Sequence, residues 1–205
     1  LMKLCARIVD TALPLFVTLT YPREWPESPK IWKRHLDTFT KWLRRQNPRA
    51  SGIWKLEAQK RGAPHYHLLI WGCEFIPHQE VARRWYEIVG SGDPRHLAAG
   101  TQVTATRNKR DVMAYASKRY MGKEVEGFEG VGRFWGVVNR KQIPLSKNAI
   151  FKISVPVLVR FNRVFRRYMR SKGVRVRNNT SLSIFSQDHL LWARMVDLIC
   201  CSCHV

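Results

Sequence analysis

Apolar and polar residues alternate from Leu15 to Tyr21: Leu15, Val17 and Leu19 fall on one side of an extended chain, Phe16, Thr18 and Thr20 on the other. That period of two predicts a strand, and Pro22 and Pro26 end it. The period then lengthens. Ser28 as N-cap and Pro29 at the first helical position open a helix whose apolar residues Trp32, Leu36, Phe39 and Leu43 recur at helical spacing. Its Lys33, Lys41, Arg44 and Arg45 are expected to stay in water.

Two further alternating runs, Ser51 to Gln59 and His65 to Trp71, flank Lys60-Arg61-Gly62-Ala63 and predict a β-hairpin whose turn uses glycine for a positive φ. Helical spacing returns through Val81, Trp85 and Ile88 between Pro77 and Val89, and Gly90 to Pro94 breaks it. Gly100 to Thr106 alternates once more. Asn108 then caps a helix to about Gly122, with Asp111 in its first turn. Phe134 to Val138 adds a short strand. The order β-α-β-β-α-β-α favours an α+β fold: an antiparallel, ferredoxin-like or RRM-like βαββαβ sheet, helices on one face and room on the other.

The hairpin carries the candidate chemistry. Trp54, Leu56, Ala58, Tyr66, Leu68 and Ile70 share a core face; Lys55, Glu57, Gln59, His65, His67, Leu69 and Trp71 share the other, provided the register allows it. A two-residue turn at Arg61-Gly62 would turn Glu57 away from both histidines. Three or five loop residues, or a bulge, would bring it onto their face. Two neutral imidazoles and a carboxylate on a stiff sheet can hold a divalent cation, Mg²⁺ or Mn²⁺. A bare His-x-His is ordinarily a hydrogen-bonded core pair, but Glu57 upstream and Tyr115-x-x-Lys118 and Tyr120-x-x-Lys123 downstream favour a metal site. His35, His78, His96, His189 and His204 lack such company and are expected at the surface or in caps. Thr18 and Thr20 read as β-formers on a polar face.

Charge narrows the partners. With 36 Lys+Arg against 15 Asp+Glu, the net charge is +21 over 205 residues, a field suited to a polyanion. Residues 151–179 hold nine Lys+Arg and no acid, over Leu158, Phe161, Phe165 and Tyr168 at helical spacing: a basic amphipathic helix for phosphate contact. No run approaches the ~20 apolar residues of a membrane span, and residues 1–15 show no secretory pattern. The five cysteines, without framework spacing, are expected as reduced thiols in the cytoplasm. No phosphate-cradling ATPase loop is present.

The motifs then resemble a known group. Phe16-Val17-Thr18-Leu19-Thr20-Tyr21, Pro64-His65-Tyr66-His67-Leu68-Leu69 and the segment Ala114 to Lys123 are similar, in that order, to the three motifs of the HUH endonucleases, and among them the rolling-circle replication initiators of plasmids and small phages; Gly132-Arg133-Phe134-Trp135-Gly136 is similar to phage-type members. The likeness runs from Leu15 to Pro144. It implies an HUH domain over residues 1–148 and a basic helical extension over 149–205. It also implies nicking of single-stranded or hairpin DNA at an origin, with a tyrosine joined to the 5′ phosphate and a 3′ hydroxyl left to prime synthesis. A host helicase and polymerase would be partners, in the cytoplasm of a plasmid- or phage-bearing cell and away from any membrane.

Roles follow residue by residue. His65, His67 and Glu57 hold the metal; Tyr115 and Tyr120 compete as nucleophile, with Lys118 beside the former. Lys55, Lys123, Arg133, Arg160, Arg163, Arg166, Arg167 and Arg170 are expected to contact DNA. A phenol of pKa ~10 is only about a thousandth ionised at neutral pH, so roughly 4 kcal/mol must be offset before attack. The tyrosines are five apart, ~140° around a regular helix, so only a break between them lets both reach one phosphate. Tyr115 ranks first because Tyr120 shares a stripe with Val112, Met113 and Ala116. An HUH transposase or relaxase would share this chemistry. A non-enzymatic RRM-like RNA or single-stranded DNA binder, stacking bases on Trp54, Tyr66, Trp71 and Trp135, would need no metal.

Overall fold

The computed structural model describes residues 1, 4–5, 7–9, 12–73, 76–108, 111–112, 115, 128–146, 154–171 and 173. The chain divides into two compact units, Leu1–Ser146 and Lys147–Val205.

In the first unit, strand β1 (Leu15–Thr20) leads into helix α1 (Pro29–Gln46), then the hairpin of β2 (Ser51–Ala58) and β3 (Pro64–Trp71), helix α2 (His78–Val89), a short helix α3 (Pro94–Ala99) and β4 (Thr101–Ala105). Strand β5 (Trp135–Val138) and a 3₁₀ turn (Arg140–Gln142) follow. The strands form one sheet in the order β4-β1-β3-β2-β5, every neighbouring pair antiparallel. The first four strands have the ferredoxin-like arrangement expected from βαββαβ connectivity, and β5 extends the sheet beyond β2.

The core forms where the two periodicities meet. Val17, Leu19, Leu56, Tyr66, Leu68 and Ile70 of the sheet pack against Trp32, Leu36, Phe39 and Leu43 of α1 and Val81 and Trp85 of α2. Pro29 opens α1 and Ser28 occupies its N-cap position, though without a side-chain bond to the helix. Gly90 ends α2 in the left-handed conformation. Helix α3 lies where the sequence predicts only a break: its six residues are too few to show a period, and Asp93 starts it by accepting from Arg95 N–H at 2.8 Å.

The sheet's second face is less open than the pattern suggests. Its polar end carries Lys55, Glu57, His65 and His67. At its apolar end Phe16, Ile53, Leu69 and Trp71 are joined by Cys5, Ile8, Val112, Tyr115 and Ile143 in a second cluster. The amino-terminal segment, which has no element-forming period in sequence, lines up here through an Ile8–Leu145 bridge and the bonds Val9 N–H to Pro144 O and Ser146 N–H to Arg7 O.

The second unit contains helix α4 (Val155–Ser171). Phe165 is buried and stacks on Phe161, while Arg160, Arg163, Arg167 and Arg170 are exposed. Among the described residues no helix is long and apolar enough to cross a membrane.

Candidate metal and tyrosine site

Strand register assembles the site. In the hairpin Glu57 lies opposite His65 and Lys55 opposite His67; in the β1–β3 pair Thr20 lies opposite His65 and Thr18 opposite His67. Directly paired residues of antiparallel strands share a face, so all six side chains point to the same side. The parity condition is met because five residues, Gln59 to Ala63, separate the last pair, Ala58–Pro64. Gln59 O accepts from Gly62 N–H and Ala63 O from Gln59 N–H, both at 2.9 Å, and Gly62 takes φ +83°. Only glycine adopts that conformation without strain, so this turn fixes the register and with it the face of Glu57.

The geometry around the imidazoles is specific. Thr20 Oγ1 lies 3.0 Å from Nδ1 of His65, and Thr18 Oγ1 lies 3.3 Å from Nδ1 of His67. The rings are 4.4 Å apart between centroids and nearly perpendicular, and Phe16 stacks on His67 at 5.4 Å. Hydroxyls on both Nδ1 atoms fix ring orientation, the arrangement that metal-binding histidines ordinarily receive from neighbouring groups. Nε2 of His67 is 3.4 Å from Oε2 of Glu57. Two imidazoles and one carboxylate suit a divalent cation. Among the described residues, however, no three His, Cys, Asp or Glu side chains already converge on one point, and Oε1 of the carboxylate is engaged by Lys55.

Lys55 departs from its expected role as a DNA contact. Its side chain is 0% exposed, with Nζ 2.5 Å from Oε1 of Glu57. A buried ammonium needs a charged partner, and this one is two residues along the same strand face. Burial alone would push the Glu57 carboxyl up. Hydrogen bonds from His67 and Lys55 and the lysine charge outweigh that and hold it at about 2.

Tyr115 lies beside the histidines. Its ring centroid is 6.4 Å from that of His67 and edge-on to Phe16 at 5.9 Å, its hydroxyl donates to the His67 carbonyl at 3.0 Å, and Lys55 Nζ stands 5.9 Å from its ring. The ring is only 6% exposed. It lines a pocket of about 290 Å³ together with Phe16, Glu57, His67, Thr104 and Asp111. Asn108 Oδ1 accepts from Asp111 N–H at 3.1 Å, the capping bond expected of Asn108; Asp111, Val112 and Tyr115 are helical, and the rest of the helix expected to about Gly122 lies outside the described residues. Tyr120, Lys118 and Lys123 lie outside the described residues.

Arg133 is exposed two residues before β5, apart from the histidine row, and the α4 arginines belong to the second unit. Of the other histidines, His96 and His35 are less exposed than the sequence suggests, whereas His78 is exposed as expected. His96 is buried with Nε2 2.8 Å from Thr20 O, His78 Nε2 lies 3.0 Å from Thr101 O, and His35 Nδ1 pairs with the Tyr21 hydroxyl at 3.0 Å. Lys33, expected in water, is half-buried over the Trp54 ring at 4.3 Å and donates to Arg133 O. Burial lowers its pKa to about 8. Thr18 and Thr20 are site residues that sequence reasoning missed. Their signal lay in parity, since the polar side of β1 can only face the histidine side of its neighbour.

A family model described as replication-associated protein matches residues 14–125, more than half of the chain. The match spans β1 through β4 and reaches past both tyrosines, and it fits the resemblance to rolling-circle replication initiators. No curated protein and no solved structure matches the chain significantly.

Proposed function

The chain belongs to this family of replication-associated proteins, and from that membership, which supports a role in replication initiation, we propose that it starts rolling-circle synthesis by nicking single-stranded or hairpin DNA at an origin. The observation that carries the nicking chemistry is the register setting Glu57, His65 and His67 on one face, with Thr18 and Thr20 on the imidazole Nδ1 atoms and Tyr115 lining the same pocket.

His65, His67 and Glu57 are the residues to hold Mg²⁺ or Mn²⁺. When bound, the cation would polarise a non-bridging phosphate oxygen and reduce repulsion of an incoming phenolate. The protein's own groups do the rest. Thr18 and Thr20 keep the rings oriented, and the hydroxyl of Tyr115 exchanges the His67 carbonyl for the scissile phosphorus. A bond forms from Tyr115 Oη to phosphorus as the bond from phosphorus to the 3′ oxygen breaks, and the phenolic proton is made up on that oxygen through solvent. The products are a 5′-phosphotyrosine and a 3′ hydroxyl. One phosphodiester replaces another, so resealing needs no ATP.

Lys118 and Lys123, each three residues after a tyrosine, are proposed as phosphate contacts, as are Arg133 and the exposed arginines of α4. Tyr120 would serve a second transfer. The setting is the cytoplasm of a host cell, with its helicase and polymerase extending the 3′ end. The test is incubation with a pool of random single strands and Mn²⁺, followed by sequencing of whatever stays attached after denaturation. A shared target motif joined through Tyr115 is expected. Tight binding without any covalent product would favour a non-enzymatic single-strand binder instead.

A further inference from the structure

The histidine row continues across the sheet to an aromatic, basic pocket. Lys55, opposite His67 on one side, is opposite Trp135 of β5 on the other. His67, Lys55 and Trp135 therefore point to one face, and at ~4.8 Å per strand Trp135 stands about 10 Å from His67 along the sheet. Trp135 is half-buried, so part of its ring meets solvent. With Phe134, Val137, Arg133 and Arg140 it lines a pocket of about 580 Å³ on the edge strand, about twice the volume of the one beside Tyr115.

The pocket has both chemistries of a nucleotide. Among the described residues, Arg133 and Arg140 are exposed, neither forms an ion pair, and no acidic side chain lines the cavity. The strand is pressed firmly onto the sheet. Leu56 N–H donates to Phe134 O at 2.7 Å, and Gly136 lies so flat on Trp54 that a Cβ there would come within 2.6 Å of the indole. Lys33 Nζ also stands over the Trp54 ring, 4.3 Å from its centroid. Trp135 is thus an aromatic surface on a fixed strand, flanked by cations and in line with the proposed nicking site.

We propose that this pocket is a stacking subsite for an unpaired base of the DNA strand, with Trp135 under the base and Arg133 and Arg140 on the adjoining phosphates. It rests on the reading of the protein as a single-strand nickase and adds where that strand runs. Aromatic stacking tolerates any base, so the subsite secures a strand across the edge of the sheet without choosing its sequence.

The test uses the full chain and an oligothymidine containing 5-bromouracil. Ultraviolet crosslinking followed by peptide mapping is expected to place the attachment on Trp135 or Phe134. Trp135→Ala should weaken binding about tenfold and Trp135→Phe much less, since stacking is retained. The Arg133→Gln, Arg140→Gln double variant should make the log–log salt slope shallower by about 1.4, two single-strand phosphate contacts. This arm stands even where Trp135→Ala fails to fold. Crosslinks elsewhere, with parental affinity and slope in the folded variants, would overturn the subsite. Failure of the nickase reading looks different: the parent would form no covalent adduct while the stacking and salt effects persisted.

Discussion

Lys55 Nζ lies 2.5 Å from Oε1 of Glu57, with the lysine wholly buried and the carboxylate 19% exposed. The two partners are unequal. Removing the carboxylate takes the Glu57 counter-charge away from a buried ammonium, whereas replacing the lysine by an apolar chain of similar length leaves a partly hydrated carboxylate beside His67. Glu57→Ala should therefore destabilise by about 3 kcal/mol in urea unfolding, and Lys55→Met by less than about 1 kcal/mol. Equal costs would mean that the pair is not electrostatically coupled.

The same pair sets how a cation competes. Lys55 holds the only carboxylate of the proposed metal set, so Lys55→Met should raise Mn²⁺ affinity, by about tenfold, through removal of a positive charge a few ångströms from the ion. Calorimetric titration of the DNA-free protein measures this directly. An unchanged or weaker affinity would mean that Lys55 orients Glu57 toward the metal rather than withholding it.

Acid stability carries the mark of Glu57. Its carboxyl is held at about 2 against an ordinary 4.5. The stabilisation is fully present above pH 4.5 and is lost as the pH falls toward 2, where the unfolded state takes up the proton first. The difference in urea midpoint between the parent and Glu57→Gln should shrink across that window. A difference that stays constant from about pH 6 down to about pH 2 would contradict the assigned ion pair.

Thr18 and Thr20 should matter to metal and little to folding. Thr18→Val and Thr20→Val keep shape and β propensity but leave Nδ1 of each imidazole without its hydroxyl. Mn²⁺ affinity is expected to fall by roughly 10- to 100-fold in each, with a Tm close to that of the parent. Parental affinity would reduce the threonines to strand-formers.

Tyr115→Phe removes a hydroxyl bonded to the His67 carbonyl. Loss of one neutral hydrogen bond costs about 1 kcal/mol, so the variant should stay folded and still bind DNA, yet form no covalent adduct, while Tyr120→Phe retains a reduced yield. The reverse pattern in gel-resolved adducts would transfer the nucleophile to Tyr120 and leave Tyr115 as a residue that positions β3.

The parts of the fold that are legible in sequence repeat a period long enough to read. Trp32, Leu36, Phe39 and Leu43 announce α1, and the alternation of β1 to β3 announces the sheet, because burial on one face leaves a direct imprint on sequence. For the site, the hairpin faces are legible but not the loop count. Parity reduces Glu57 to two outcomes, and the left-handed Gly62 decides between them. What stays hidden depends on partners distant in sequence. Lys55 looks like any exposed strand lysine until the fold buries it against Glu57 and beside the Tyr115 ring, and Cys5 and Ile8 have no period to betray that they help build the second apolar cluster. His96 reads as a surface residue because its partner, the Thr20 carbonyl, is 76 positions away.

The proposed nicking depends on a cation held by His65, His67 and Glu57 that enables a tyrosine to attack DNA. The most direct measurement is covalent adduct formation between the purified protein and a single strand carrying its target, in Mn²⁺, in EDTA, and in Mn²⁺ with a His65→Ala, His67→Ala variant shown to be folded. An adduct that survives denaturation should appear only in the parent with Mn²⁺ and should return when EDTA is titrated out. Equal adduct in EDTA, or in the variant lacking both imidazoles, would contradict the metal-dependent mechanism.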